Sequence, residues 1–268
     1  QPLCCNSDQG AFIAPQSIAQ LHEILPEHPQ ATLLAGATDI GLWITKLGKR
    51  LSAVIYLGQI EELRRLQQTE EALEIGAGVS LQDATPALTA LSPDLSRLLR
   101  RFGSRQVRGH GTVGGNIANG SPIGDLPPPL IALGAKLRIG HARGQREIPL
   151  EDFFIDYGQQ DLGPGEFVES VVIPKNDWPW FRCWKIAKRF DQDISAVLGA
   201  FALKIEEGIV REARICFGGM ASTVRRAKRC ETALTGKLLN RDTLERARDA
   251  LATDFDPLTD MRASASYR

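Results

Sequence analysis

The chain has 268 residues, with 32 lysines and arginines against 32 aspartates and glutamates, so neither a basic nucleic-acid surface nor an acidic disordered tract is signalled and a small-molecule partner is expected. That length buries the core of one large or two modest domains, and two is the expectation. No run approaches the roughly 20 apolar residues that span a bilayer, and the opening Gln1-Pro2-Leu3-Cys4-Cys5 lacks a charged segment followed by an apolar one, which predicts a cytoplasmic protein.

In chain order, Ser17-Ile18-Ala19-Gln20 is a capping box ahead of apolar residues at helical spacing, and predicts a short helix ended by Pro26 and Pro29. Ala31 to Ala35 reads as a buried strand broken at Gly36. Gly36-Ala37-Thr38-Asp39 then leads into a second helix whose Ile40, Trp43, Ile44 and Leu47 share a face. Its N–H groups point outward at a helix start and suit a phosphate, although in so short a turn ordinary helix capping by Thr38 and Asp39 is the preferred reading, and the turn can do both. Leu51 to Leu57 and Leu73 to Val79 read as strands, with Ser80 capping a helix interrupted at Pro86. Ser92-Pro93 opens a helix to about Phe102 whose Arg97, Arg100 and Arg101 are expected on a solvated face.

That helix delivers the chain into Gly111-Thr112-Val113-Gly114-Gly115-Asn116-Ile117-Ala118-Asn119-Gly120-Ser121-Pro122-Ile123-Gly124-Asp125. Glycine admits positive φ and close ligand approach, and successive free N–H groups in such a run form an anion-binding concavity. A Gly-rich connector is the alternative, but the apolar Val113, Ile117 and Ile123 and the polar Asn116, Asn119, Ser121 and Asp125 are not a linker's mixture. Pro127 to Pro129 start a short apolar helix through Ala132, and Lys136 to Ile139 pairs with Arg146 to Leu150 across a turn. The alternation to this point is that of an α/β domain with ligand loops between elements.

Phe167 to Ile173 is a strand ended by Pro174, and Lys175-Asn176-Asp177-Trp178-Pro179 reads as a domain boundary. Beyond it, strands at Phe181 to Lys188, Ile194 to Ile205 and Ile209 to Phe217 make an antiparallel meander, the last two joined by Glu206-Glu207-Gly208. Two helices follow, around Ala227 to Leu234 and Leu244 to Leu251, with Gly236 stopping the first, so the second domain is α+β. The charged run Lys185 to Ile194 is either a solvated turn or the lining of a cleft at the domain junction. Five cysteines, Cys4, Cys5, Cys183, Cys216 and Cys230, include no C-x-x-C pair and signal neither a disulfide framework nor a metal or iron–sulfur site. Gln1 is not an initiator, so a piece of a longer polypeptide is expected.

Taken together, Leu33 to Asp39, Gly103 to Arg108, Gly111 to Asp125, Lys188-Arg189-Phe190-Asp191-Gln192-Asp193-Ile194-Ser195-Ala196-Val197 and Asp260-Met261-Arg262-Ala263-Ser264 closely resemble, in order, the FAD-binding segment of the molybdenum hydroxylases. The nearest likeness is to the bacterial xanthine dehydrogenase small subunit. The resemblance implies an α+β chain: a linker at 1–11, a two-subdomain FAD-binding domain of the para-cresol methylhydroxylase type at 12–176, and a carbon monoxide dehydrogenase flavoprotein C-terminal-like domain at 177–268. It places Leu33, Leu34, Ala35, Gly36, Ala37, Thr38 and Asp39 on FAD, with Thr112, Gly115, Asn116, Asn119, Ser121 and Asp125 opposite. Phe102 and Leu162 match residues that pack beside the cofactor, and Lys185 matches a lysine near the flavin ring. The sequence departs from the family pattern at Ala37, where most bacterial relatives have glycine, at His110, and in Pro127 to Pro129.

The same resemblance implies noncovalent FAD, NAD+ as co-substrate, and 2Fe-2S clusters and molybdopterin on other domains or subunits, which would be the partners. It implies an electron relay from purine hydroxylation through iron–sulfur clusters and FAD to NAD+, with no side chain required as general acid or base and no metal on this chain. Alternatives are the flavin subunit of a carbon monoxide, aldehyde or nicotinate hydroxylase, and a non-catalytic docking module.

Overall fold

The computed structural model describes residues 2–8, 10–176 and 178–268, so Asp177 within the expected boundary, and Gln1, lie outside the described residues. Residues 1–11, expected as a linker, instead contribute strands: β1 (Leu3–Ser7) and β2 (Gly10–Ala14) form a hairpin. α1 (Ile18–Ile24) starts as its capping box dictates. Ser17 accepts from the Gln20 N–H at 3.2 Å, and Gln20 reaches back to the Gln16 N–H at 2.9 Å. β3 (Thr32–Leu34), α2 (Ile40–Thr45) and β4 (Ala53–Tyr56) complete a first sheet, ordered β1-β2-β4-β3, in which β4 runs parallel to both neighbours. Parallel neighbours need a crossover, which α1 and α2 supply. β3 is half-buried rather than buried, because Thr32, Leu33 and Ala35 face a cleft. The apolar face expected on α2 is likewise not packed: Ile40 and Trp43 look into the cleft, while Ile44 and Leu47 are exposed.

The second sheet, β5 (Leu66–Gln68), β6 (Ala72–Gly76), β7 (Lys136–His141), β8 (Gly144–Pro149) and β11 (Phe167–Pro174), is antiparallel throughout in the order β5-β6-β11-β7-β8. Central β11 is covered on both faces, which its run of Val171, Val172 and Ile173 requires. β9 (Phe154–Asp156) and β10 (Gln159–Gln160) make a separate small hairpin. α3 (Leu81–Leu91) is continuous through Pro86, contrary to the expected interruption. The proline removes one helix bond, and burial of Leu81, Ala84 and Leu88 on one face offsets that loss. α4 (Pro93–Arg100), α5 (Arg105–His110) and α6 (Val113–Ala118) follow.

α7 (Pro127–Ala132) is buried at every position and packs on the third sheet. Three prolines open it, and this accounts for them: a buried helix start would strand its first N–H groups without water, and proline has none to strand. The third sheet comprises β12 (Trp180–Ile186), β13 (Val197–Glu206), β14 (Ile209–Gly218) and β15 (Arg225–Arg226), the expected meander. Glu207 (φ 51°) and Gly208 (φ 77°) form its tight turn, as a two-residue hairpin loop demands. α8 (Lys228–Leu234), stopped by Gly236 at φ 76°, and α9 (Arg241–Leu251) cover β14 through Val210, Ile215, Phe217, Leu234 and Ala247. The main core is continuous between the second and third sheets, from Ile75, Leu130 and Ile173 to Phe181, Leu198 and Cys216. Among the described residues no helix is long and apolar enough to cross a membrane.

Candidate functional site

Between the three sheets lies a cleft of about 1300 Å³. One wall is the turn from β3 to α2. Gly36 is fixed by contact with the opposing chain: a Cβ there would lie 1.9 Å from the His110 carbonyl oxygen. Ala37 adopts φ 59°, a left-handed conformation that side chains disfavour, and its carbonyl accepts from the Gly41 N–H at 2.9 Å. Asp39 does not cap the helix; its carboxylate accepts instead from Trp43 Nε1 at 3.1 Å. Among the described residues no protein acceptor takes the N–H groups of Gly36, Ala37, Thr38 or Asp39. Four unclaimed donors in sequence at a helix start make an anion cradle.

The glycine run forms the facing wall, but not as expected. Its first N–H groups are not free. Val113 and Gly114 donate to the Val79 and Ala77 carbonyls, each at 2.9 Å, and Gly115 donates to Thr112 Oγ1 at 3.0 Å. These bonds dock α6 against the end of the second sheet, which is why glycine is needed: a Cβ at Gly114 would stand 2.3 Å from Ala77 Cβ. Gly115 turns outward, and a Cβ there would meet only Thr112 Oγ1, at 2.8 Å. Beside it Asn116 Oδ1 is buried without a partner. What this wall offers a ligand is open surface and side-chain groups, while the backbone donors belong to the 36–39 turn.

The far end of the cleft is made across the junction of the second and third sheets. Asp125, Lys185 and Ser195 are all buried there; Lys185 Nζ donates to Asp125 Oδ2, and Ser195 Oγ donates to Asp125 Oδ1 at 2.5 Å. Pairing is what permits a buried ammonium and carboxylate. The connection from β12 to β13 lines the cleft with Gln192, Asp193 and Ile194, while Lys188, Arg189, Phe190 and Asp191 are exposed and do not line it, so each of the two readings of that charged run holds for part of it. Arg101, expected on a solvated face, instead clamps this connection: it donates to the Lys185 carbonyl at 2.7 Å and the Phe190 carbonyl at 2.9 Å, with its guanidinium over the Phe190 ring. The C-terminal segment closes the same end. Arg268 donates to the Ala196 carbonyl at 3.1 Å and to Asp260 at 2.8 Å, and Arg262 to Asp260 at 3.0 Å. Burial alone pushes the Asp260 carboxyl up, but the N–H groups of Arg262 and Ala263 and the two guanidiniums hold it well below the usual carboxylate range.

Every expected site residue except Leu34 lines this cleft: Leu33, Ala35, Gly36, Ala37, Thr38 and Asp39 on one wall, Thr112, Gly115, Asn116, Asn119, Ser121 and Asp125 on the other, with Phe102, Leu162 and Lys185 between them. Leu34 is not among the lining residues; it sits in β3 opposite Tyr56. Ser195, Gln160, Tyr157 and Arg262 also line the cleft and were not expected as site residues. Ser195 and Arg262 stood inside the quoted motifs, whereas nothing local marked Tyr157 or Gln160.

Residues 7–176 match the family described as FAD binding domain in molybdopterin dehydrogenase, and residues 182–268 match the CO dehydrogenase flavoprotein C-terminal domain. The nicotinate hydroxylase of Emericella nidulans is 32% identical over 88% of this chain, which spans only 19% of that protein. A putative xanthine dehydrogenase FAD-binding subunit of Escherichia coli K12 is 28% identical, with 97% of this chain covering 91% of it. Among solved structures, carbon monoxide dehydrogenase from Hydrogenophaga pseudoflava superposes with a TM-score of 0.91 at 26% identity, over 98% of this chain and 93% of that one.

Proposed function

This chain belongs to the FAD-binding domain family of the molybdopterin dehydrogenases, with the two-part α+β flavoprotein fold, and from that premise we propose that it is the flavin component of a xanthine dehydrogenase-type electron relay with NAD+ as acceptor. The donor set of the cleft fits FAD. The observation that carries the flavin part of this reading is the 36–39 turn, whose four unclaimed N–H groups offer donors to an anionic pyrophosphate. Thr112, Asn116, Asn119 and Ser121 on the facing wall would take the sugar and ribityl hydroxyls, and the open face of Gly115 lets a ligand lie against the backbone. Phe102 and Leu162 would pack beside the cofactor, and Lys185 and Asp125 would set the charge at its ring end, with Leu34 held back as strand support. When bound, FAD supplies the exchange between one-electron iron–sulfur donors and a two-electron hydride acceptor.

We assign residues 12–176 to the FAD-binding domain, which forms both main walls of the cleft, and 177–268 to the C-terminal domain, which closes its far end, in a cytoplasmic assembly. The 2Fe-2S clusters and molybdopterin then belong to an iron–sulfur partner and a molybdopterin-binding partner; among the described residues no group of His, Cys, Asp and Glu is placed to hold a metal. A nicotinate-oxidising assembly is the second reading, because the Emericella nidulans nicotinate hydroxylase is as similar, at 32% identity, as the xanthine dehydrogenase of the same organism.

The flavin is expected to be noncovalent. His110, the one histidine beside either turn, is exposed and does not line the cleft. Visible absorbance followed by acid release tests this, with yellow protein and free FAD in the supernatant as the expected result. With FAD bound, the chain should oxidise NADH with a dye acceptor and should not oxidise xanthine with any acceptor. Xanthine turnover by this chain alone would overturn the relay reading, and inactivity with NADH would overturn NAD+ as the acceptor.

A further inference from the structure

On the basis of the flavin reading above, we propose that Ser195 is a positioning residue for the cofactor: its hydroxyl fixes the Asp125 carboxylate as a directed acceptor at the ring end of the cleft. Ser195 is 1% exposed and Asp125 7%, yet both line the cleft, so what little surface they show faces a ligand. They come from different parts of the chain, Asp125 from the loop after α6 and Ser195 from the connection of β12 to β13.

The two donors on Asp125 do different work. Lys185 holds Oδ2 and cancels the charge, but an ammonium is a compact point charge whose attraction sets no particular orientation of the carboxylate plane. The terminal torsion of an aspartate is broad, so an ion pair alone leaves that plane free to turn about its Cβ–Cγ bond. Ser195, donating to Oδ1 at 2.5 Å, removes this freedom. Each oxygen then carries one protein donor, and an ionised carboxylate with about four acceptor sites keeps room for a donor from the cleft.

The backbone beside Ser195 is itself held. The neighbouring Ala196 N–H donates to the Ile186 carbonyl at 2.8 Å, and Arg268 Nε donates to the Ala196 carbonyl at 3.1 Å. On the other strand, Arg101 secures the Lys185 carbonyl at 2.7 Å. The carboxylate is therefore aimed by supports that lie outside the cleft wall it belongs to.

The test is a fluorescence-quenching titration of FAD into the flavin-stripped full chain, with the visible spectrum and midpoint potential read after reloading. It compares the parent with S195A, S195C, D125A and D125A/S195A. S195A should bind FAD about tenfold more weakly and shift the potential, while its FAD-free form melts like the FAD-free parent. S195C, which keeps the size and a weaker donor, should fall between them. In the D125A background, which leaves Ser195 no acceptor on that side chain, S195A should have no further effect, because the hydroxyl acts through the carboxylate. Parent-like affinity and potential in S195A and S195C, or additive losses in the double variant, overturn the assignment. A parent chain that takes up no FAD overturns the flavin reading and this assignment with it, whereas a parent that binds beside an equally competent S195A overturns this assignment alone.

Discussion

Adjacent glycines in α6 should fail in opposite ways. At Gly114 an added Cβ would stand 2.3 Å from Ala77 Cβ, 2.6 Å from Ala77 Cα and 2.8 Å from the Ala77 carbonyl oxygen. Ordinary carbon contacts lie at about 3.5–4.0 Å, so Gly114→Ala must push α6 off the second sheet by more than about 1 Å. Overpacking of that kind costs roughly 1–3 kcal/mol, or roughly 2–12 °C in melting temperature for a chain of this size. At Gly115 the only obstacle is Thr112 Oγ1 at 2.8 Å, a side chain that can rotate away. Gly115→Val then costs the Thr112 cap, about 1 kcal/mol, and recovers a few tenths by removing a helical glycine, so the fold should survive nearly intact. The valine side chain would nonetheless project into the cleft where FAD is proposed to lie. Thermal melts of the FAD-free proteins, read beside FAD titrations, separate the two effects: Gly114→Ala should melt early, and Gly115→Val should melt near the parent and lose FAD. A Gly115→Val chain that binds FAD like the parent would refute the assignment of this wall to the ligand. A Gly114→Ala chain that melts with the parent would refute the close packing of α6.

Ala37→Gly should stabilise the chain by up to about 1 kcal/mol in a denaturant titration, since relief of roughly 1–2 kcal/mol of left-handed strain outweighs about 0.4–1 kcal/mol of added unfolded-state entropy; a destabilised variant would show that the φ of 59° at Ala37 carries no strain. Thiol titration of the folded protein at pH 8 should find Cys4 and Cys5 reactive and the others silent. Burial, reinforced by Asp94, pushes the Cys183 thiol up to about 12; burial with Asp254 pushes Cys230 up to about 11; and Cys216 lies well above the ordinary range. Fast labelling of a third thiol without unfolding would contradict the packing of these strands.

What could be read from the sequence was local. Ser17 with Gln20, Ser92 with Pro93, Gly236 and the Glu207-Gly208 turn each announce a cap or a reversal through chemistry confined to four residues, and each forms where it was expected. The glycine run was also recognisable as a wall of the site, but its role was misjudged, because a free N–H and one claimed by Ala77 or Val79 look the same in sequence. The claim is made by the turn that follows β6, some 35 residues earlier, so the cradle of unclaimed donors falls to the shorter 36–39 turn. Arg101 follows the same logic: beside Arg97 and Arg100 it reads as one more solvated charge, yet its acceptors are carbonyls 84 and 89 residues away. The triple proline is the converse case, a sequence feature that was conspicuous but had no reason until its burial was known. A helix start buried against the third sheet cannot send its N–H groups to water, and residues without them are the remedy. The features that did not yield to local reading, Arg101, Ser195 and Arg268, all lie on the seam between the second and third sheets, where bonds span 70 or more residues. A ligand bound in that seam touches both sides at once, so the residues that aim its contacts belong to neither local pattern and become visible only once the chain has closed around the cleft.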